Sequence, residues 1–124
     1  MKYFIDAEFK EKPYTIDLIS IGIVCEDGRE YYAICSEFNL KEVWADEWLR
    51  EHVLFPIYRE YIHGDMQIIS PFSKRSIKHI MKSFGKSKQQ MANDIKIFAH
   101  QPEFYARHRH VFLSGEGRDH FETT

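Results

Sequence analysis

The first 38 residues alternate between apolar and polar positions in the manner of β-strands. Residues 2–9 are rich in aromatic and β-branched side chains, and a polar stretch followed by Pro13 ends the run. Residues 14–25 carry apolar side chains on both alternating faces, which is typical of a strand in the middle of a sheet. The pattern therefore predicts two strands, with the second in a central position.

The dipeptide Asp27-Gly28 predicts a tight turn after the second strand. Both central positions of a two-residue type I′ turn need a positive φ, and Asp-Gly suits them. Residues 29–38 then alternate as a returning strand. A two-residue loop pairs positions whose numbers sum to about 55, such as Ile21 with Ile34. We therefore predict three antiparallel strands over the first 38 residues.

The apolar period changes to that of a helix after Asn39, and Pro56 is expected to end this helix at about residue 54. Residues 57–73 have no clean period and are expected to form an irregular crossover. The apolar positions that predict the helix, three to five residues apart, are Leu40, Val43, Trp44, Trp48 and Val53.

Two further helices are predicted, at 75–84 and at 87–99. Gly85 ends the first, and Ser87 followed by Gln90 is a capping-box pattern that begins the second. Asp94 lies opposite or beside the apolar face of the second and is expected to be solvated. Residues 101–106 read as a further strand, so the order predicts an α/β fold of three antiparallel strands, helices and a last strand. The apolar face of the second helix consists of Met91, Ile95 and Phe98.

Composition limits the class of protein. A chain of 124 residues with 44% hydrophobic content is enough for the core of one domain. The net charge of −2 excludes a broad basic field, so any contact with nucleic acid must be local. One segment has six positive charges and no acid; a solvated helix face is the commoner explanation, and a local nucleic-acid contact is the alternative. Its cations are Lys74, Arg75, Lys78, Lys82, Lys86 and Lys88.

Location and redox state follow from what the sequence lacks. No apolar stretch approaches the roughly 18 residues of a membrane helix, and the N-terminus has no signal-peptide pattern, so we expect a cytoplasmic protein without a membrane partner. Cys25 and Cys35 should lie on the order of 16 Å apart along the predicted hairpin, and free thiols are predicted.

Asp6 and Glu8 are the candidate metal ligands. Side chains two apart on a strand point to one face, roughly 6 to 7 Å from each other. Paired carboxylates on a rigid strand suit Mg²⁺ or Mn²⁺. Two exposed acids on an edge strand are the usual explanation of Asp-x-Glu, but these acids lie among the apolar residues 3–9, where unpaired charges are costly. We therefore predict a divalent-metal site.

Three stretches, in order, carry a resemblance to a known family: YFIDAEF at 3–9, TIDLISIGIV at 15–24 and EDGREYYA at 26–33. They resemble the opening of the small bacterial 3′-5′ exoribonucleases first described from mycobacteria, in the DEDD (RNase T-like) superfamily. The resemblance is close up to about residue 55, including Trp48, His52 and Val53, and vague from there to about residue 106.

The resemblance implies an RNase H-like exonuclease domain over residues 1–106, followed by a divergent, His-rich tail at 107–124. It implies two metal ions, with Asp6 contacting both and Glu8 holding the ion that activates the attacking water. The implied catalytic residues are therefore Asp6 and Glu8, the cofactor Mg²⁺ or Mn²⁺, and the partner an RNA 3′ end. Phe9 is the candidate substrate-binding residue.

The C-terminal part departs from the family pattern. The family's second Asp is expected after 102–106, where the chain reads Arg107-His108-Arg109-His110, and no His-x-x-x-x-Asp occurs anywhere. Asp119-His120 has the residue types in the wrong order. Truncation, a frame change and real divergence all fit such a tail. With two of five expected catalytic groups assigned, we predict an incomplete domain with little or no nuclease activity, and uncovered apolar surface makes a homo-oligomer an alternative to a monomer.

Three functions are therefore compared. The first is an exoribonuclease, or a fragment of one, acting on RNA 3′ ends. The second is a catalytically silent RNase H-like module that binds nucleic acid or a protein partner through the basic segment 74–88 and exposed aromatic residues. The third is an interaction protein that binds a transition metal through His108, His110 and His120, although an exposed tail is the commoner explanation of such histidines.

Overall fold

The computed structural model describes residues 1–62 and 71–100, which form three antiparallel strands followed by helices. This α/β arrangement is compatible with an RNase H-like fold. The strand predicted at 101–106 and the tail at 107–124 lie outside the described residues. The strands are β1 (Tyr3–Lys12), β2 (Thr15–Cys25) and β3 (Glu30–Ile34); the helices are α1 (Leu40–Ala45), α2 (Glu47–Leu49), a π-helical segment (Arg50–Leu54), α3 (Phe55–Ile62), α4 (Lys74–Phe84) and α5 (Lys88–His100).

β2 is the central strand, as predicted. It pairs with β1 on one side and with β3 on the other, both antiparallel. Ile19, Ile23 and Cys25 are buried on one face, while Ser20 and Gly22 are covered on the other. Burial on both faces is the reason that the strand reads as apolar in both alternating sets of positions.

The turn between β2 and β3 has three residues instead of the predicted two, which shifts the register by one. The Cys25 N–H donates to the Arg29 carbonyl at 2.8 Å, and Ile21 faces Ala33, so the predicted pair Ile21 with Ile34 is wrong. Gly28 alone in the turn has a positive φ, of 94°. A left-handed glycine at the end of a three-residue loop is the usual alternative to a type I′ turn.

β3 is shorter than predicted, and at its end the backbone pairs with Lys86. The Lys86 N–H donates to the Ile34 carbonyl at 2.7 Å, and the Ser36 N–H donates to the Lys86 carbonyl at 2.8 Å. The chain can approach this closely because the preceding residue is Gly85, where a Cβ would lie 2.8 Å from the Cβ of Ser36. The chain after α4 is thereby held alongside the sheet.

The helix predicted at 40–54 is interrupted, and Pro56 does not end it. Asp46 adopts an extended conformation between α1 and α2, and its carboxylate caps α2 by accepting from the Leu49 N–H. Pro56 is the second residue of α3, which continues directly from the π-helical segment. The preceding π-helical turn, in which the Phe55 N–H reaches the Arg50 carbonyl, joins the two helices. The expectation of an irregular crossover from residue 57 is therefore wrong for the first six residues.

The last two described helices agree with the prediction. α4 ends at Gly85, and the Ser87 hydroxyl accepts from the Gln90 N–H at 3.1 Å at the start of α5. Cys25 and Cys35 are both free thiols, as predicted. Among the described residues, no helix combines the length and apolarity that crossing a bilayer requires.

Asp94 is buried, which contradicts the expectation of a solvated side chain. It is 1% exposed and accepts hydrogen bonds from Tyr31 Oη, Lys86 Nζ and Gln90 Nε2, each at 2.8 Å. Asp94 stands three residues after Met91 and four before Phe98, so it shares their helix face. Three donors compensate the carboxylate for the water that it loses.

Helices cover both faces of the sheet. α5 packs against one face, where the Phe98 ring lies 6.0 Å from Tyr3 and 6.2 Å from Tyr31 between centroids. The π-helical segment and α3 lie over the other face, and α4 packs against α3 through Tyr61 and Phe84, whose centroids are 4.8 Å apart. The face under the π-helical segment is the one that carries the acidic pair.

Candidate active site

Asp6 and Glu8 occupy one face of β1, as their spacing of two residues predicts. Asp6 lies opposite Gly22, and Glu8 lies opposite Ser20 on β2. Gly22 in turn lies opposite Tyr32 on β3, so the row across the sheet is Asp6, Gly22, Tyr32. Facing residues on neighbouring strands point to the same side, which brings both carboxylates to the surface that Tyr32 occupies.

A cleft of about 290 Å³ opens above these residues. The sheet forms its floor, and the π-helical segment with the first turn of α3 forms its wall. Gly22 contributes no side chain, so the floor between Asp6 and Tyr32 stays open. The lining residues are Asp6, Glu8, Ser20, Gly22 and Tyr32 from the sheet and His52, Val53, Pro56 and Ile57 from the helical wall.

The two carboxylates interact electrostatically. Partial burial raises the pKa of Glu8 above its usual value, and the negative charge of Asp6 raises it further. Both causes disfavour a second negative charge in the cleft. A cation bound between the two acids would reverse the balance, because it favours the ionised form of each.

Tyr32 closes the far end of the floor. Its ring is buried, and burial raises the pKa of the phenol above its ordinary range, so the hydroxyl stays protonated. The phenol also interacts with the Ser20 side chain by a hydrogen bond. Tyr32 and Ser20 therefore add neutral polar groups, and no further charge, to the side of the cleft next to Glu8.

His52 and Trp48 stand at the edge of the helical wall as a stacked pair. Their ring centroids are 4.7 Å apart with an interplanar angle of 16°, and His52 Nδ1 lies 3.1 Å from the Trp48 carbonyl oxygen. That contact places the proton of a neutral imidazole on Nδ1 and leaves Nε2 as an acceptor. Trp48 is 60% exposed, so its assignment to the core face of the helix is wrong.

Tyr32, Ser20 and His52 line the cleft but were not predicted as site residues. Tyr32 and Ser20 carry no charge and alternate like other strand positions, so their placement depends on strand register alone. The position of His52 has a local signal in the sequence: it follows Trp48 by four residues, and residues at that spacing meet on one helix face.

Phe9 does not join the acidic pair. The register between β1 and β2 shifts between Glu8 and Phe9, so Phe9 lies opposite Leu18 and not Ile19. Its side chain is 38% exposed and is not part of the cleft lining. The role of Phe9 in substrate binding stays a prediction.

No third metal ligand accompanies the acidic pair in the described part of the chain. Within residues 1–62 and 71–100, no group of three or more histidines, cysteines or acids is arranged to hold a metal ion. His108, His110 and His120 lie outside the described residues. Asp6 and Glu8 fit a hard divalent cation by their oxygen chemistry and their shared cleft.

Comparison with known proteins gives a partial match. No family model matches the chain. Two curated proteins of Mycobacterium tuberculosis, the 3′-5′ exoribonuclease MT2234.1 of strain CDC 1551 / Oshkosh and the 3′-5′ exoribonuclease Rv2179c of strain ATCC 25618 / H37Rv, are each 57% identical to it over 54 residues. The match covers 44% of this chain and 31% of each relative, so the chain spans about a third of their length. Over that segment, the chain is related to the mycobacterial type of 3′-5′ exoribonuclease.

Proposed function

We propose that the cleft above Asp6 and Glu8 is the metal-binding half of a 3′-5′ exoribonuclease site that hydrolyses phosphodiester bonds at RNA 3′ ends. The observation that carries the proposal is the placement of both carboxylates in one cleft, where Asp6 contributes to the raised pKa of Glu8. A divalent cation would relieve this repulsion, and Mg²⁺ and Mn²⁺ prefer carboxylate oxygens. The identity with proteins named as 3′-5′ exoribonucleases supports the choice of RNA.

Each part of the cleft has a role in this proposal. Asp6 and Glu8 hold the metal, which when bound activates water and stabilises the leaving oxygen. Val53 and Ile57 form an apolar wall that limits the access of bulk water. The exposed ring of Trp48, held in place by His52, offers a flat surface for a base of the RNA, because bases stack on aromatic rings without regard to sequence.

The described residues supply too little negative charge for two metal ions. Two divalent ions bring four positive charges, and Asp6 with Glu8 offset half of them. His52 lines the cleft, but no third acid joins the pair within the described residues. We therefore expect one ion to bind well, the second to bind weakly, and RNA hydrolysis by the isolated chain to be slow or absent.

The shortage of negative charge in the cleft also favours a second candidate function. A chain that binds one cation and RNA without cleaving it would be a catalytically silent RNase H-like binding module. RNA hydrolysis separates the two functions directly, because metal binding and RNA binding are common to both.

The test measures Mn²⁺ binding and RNA shortening in the same preparation. Wild-type chain should bind Mn²⁺ in a titration followed by electron paramagnetic resonance, and Asp6→Asn should weaken binding roughly 10-fold or more. Glu11→Gln is the matched control, because Glu11 is an exposed acid on the same strand outside the cleft. Equal Mn²⁺ affinity in wild-type chain and Asp6→Asn would contradict the metal site.

Hydrolysis is measured on a 5′-labelled RNA with a 3′ tail in Mg²⁺ or Mn²⁺. Slow shortening from the 3′ end that is lost in Asp6→Asn and kept in Glu11→Gln supports the exoribonuclease. Metal binding with no shortening supports the silent module. Fast, Asp6-dependent shortening would overturn the expectation of low activity and would require ligands from outside the described residues or from a second chain.

A further inference from the structure

The exposed face of α4 is positively charged along its whole length. Its other face is buried and consists of Ser76, Ile77, Ile80 and Met81. No acidic residue occurs in the helix. We name the exposed face the α4 basic face; its residues are Lys74, Arg75, Lys78, His79 and Lys82.

The charges of the α4 basic face are not neutralised within the described part of the protein. The cations that form ion pairs there are Lys10, Lys12, Arg29 and Lys86, none of which belongs to this face. Like charges four residues apart on a helix repel one another, so Lys74, Lys78 and Lys82 weaken the helix that carries them. An anionic partner would convert this repulsion into attraction.

The α4 basic face belongs to the helical layer that builds the wall of the cleft. α4 packs on α3 through Phe84 and Tyr61, and α3 contributes Pro56 and Ile57 to the wall. From Lys74 to Lys82 the helix rises about 12 Å, which is long enough to span more than one phosphate of a nucleic-acid strand.

We propose that the α4 basic face binds the phosphate backbone of the RNA whose 3′ end enters the cleft. The choice of RNA rests on the proposed function, and the choice of backbone rests on charge complementarity. Lysine ammonium groups on flexible stems bind phosphates as point charges and carry no information about base sequence. The face therefore adds affinity and orientation for RNA beyond the terminal nucleotides, without base preference.

The test compares two double variants with the same change of charge. Lys78→Gln with Lys82→Gln removes two cations from the α4 basic face. Lys2→Gln with Lys96→Gln removes two exposed cations from β1's start and from α5. Circular dichroism should show the same helix content in both, because all four side chains are exposed.

Binding is measured by fluorescence anisotropy of a 5′-labelled single-stranded RNA of mixed sequence, in EDTA, over about 50 to 200 mM salt. Removing two phosphate contacts should weaken binding about tenfold at low salt and should reduce the slope of log Kd against log salt by about 1.4. The Lys2/Lys96 control should keep the wild-type slope. Equal losses in the two variants, or no binding by the wild-type chain, would overturn the proposal.

A second arm replaces the RNA with polyglutamate of matched length. Tighter binding of polyglutamate than of RNA would assign the face to an acidic protein and would also overturn the proposal. Because EDTA removes the metal, binding is independent of hydrolysis: salt-sensitive, Lys78/Lys82-dependent binding without hydrolysis keeps this inference and rejects the nuclease. RNA hydrolysis together with unchanged RNA binding in the Lys78/Lys82 variant keeps the proposed nuclease and rejects this inference.

Discussion

The Tyr31 hydroxyl donates a hydrogen bond to the Asp94 carboxylate at 2.8 Å, which joins β3 to α5 inside the core. Lys86 Nζ donates to the same carboxylate from the segment that follows α4. A single acid thus connects the sheet, the chain between α4 and α5, and α5 itself. Its charge is compensated by the Lys86 ammonium and by two neutral donors, Tyr31 and Gln90.

Asp94→Ala should lower the free energy of unfolding by about 3 kcal/mol, because it leaves the Lys86 ammonium and the Tyr31 hydroxyl without their shared acceptor. Urea unfolding followed by tryptophan fluorescence measures the change. Asn93→Ala, at the exposed neighbouring position of α5, is the control and should change stability by less than about 0.5 kcal/mol. Losses of equal size at both positions would contradict the role of Asp94 as the shared acceptor of Tyr31 and Lys86.

Glu8→Gln should make the chain more stable than wild type near neutral pH. The folded-state pKa of Glu8 is raised above the ordinary value of 4.5, so its contribution to stability is fully present below that pH and is lost as the pH rises through the folded pKa. Glutamine cannot ionise, so the Glu8→Gln variant does not lose this stability as the pH rises. Urea unfolding at about pH 4 and about pH 7 should show a stability difference between variant and wild type only at the higher pH.

Glu11→Gln is the control for this pH dependence and should show no such difference. A saturating concentration of Mn²⁺ should reverse the order of stabilities near neutral pH, since the ion stabilises the folded wild-type chain through Glu8. A Glu8→Gln variant that is less stable than wild type without metal would contradict the repulsion between Asp6 and Glu8.

The two tryptophans should separate packing from binding. Trp48→Ala should change the free energy of unfolding by less than about 0.5 kcal/mol, because Trp48 is 60% exposed. The same variant should weaken RNA binding in EDTA, because one stacked base is worth about 1 to 3 kcal/mol. Trp44→Ala should lower the free energy of unfolding and leave RNA affinity unchanged, since Trp44 packs against Phe72 with 4.9 Å between the ring centroids. Unchanged RNA affinity in Trp48→Ala would rule out the stacking surface.

Gly85→Ala and Gly28→Ala should both lower the free energy of unfolding, but by different amounts and for different physical reasons. At Gly85 an added Cβ would lie 2.4 Å from the Met81 carbonyl oxygen, so Gly85→Ala must displace backbone and should cost more than about 2 kcal/mol. At Gly28 an added Cβ meets nothing within 4 Å, but φ is 94°, so Gly28→Ala should cost about 1 kcal/mol. Gly28→Asn should recover part of that loss, because asparagine tolerates a positive φ. The reverse order of costs would contradict the close approach at Gly85.

Local signals in the sequence predict the strands and the later helices well. The alternation of β2, the ends of α4 and the cap at Ser87 depend on neighbouring residues, which the sequence presents directly. The acidic pair is equally local, since Asp6 and Glu8 stand two apart on one strand. Local signals do not predict the cleft, because its wall comes from a helical segment whose position no strand residue specifies.

The errors have separate physical causes. A carboxylate on a polar-looking helix position was expected in water, but Asp94 receives donors from β3 and from the chain after α4. Pro56 was expected to end a helix, but the helical backbone continues through it after a π-helical segment. The hairpin register depended on whether the loop has two or three residues, and Asp-Gly is compatible with both.

Gly22 gives up sheet stability where the cleft needs space. Glycine is the weakest residue for the interior of a central strand, because it costs backbone entropy and offers nothing for its neighbours to pack against. Here it separates Asp6 from Tyr32, and a valine at this position would strengthen the sheet and fill the floor of the cleft. The stability of the sheet and the volume of the cleft therefore make opposite demands on the residue at this position.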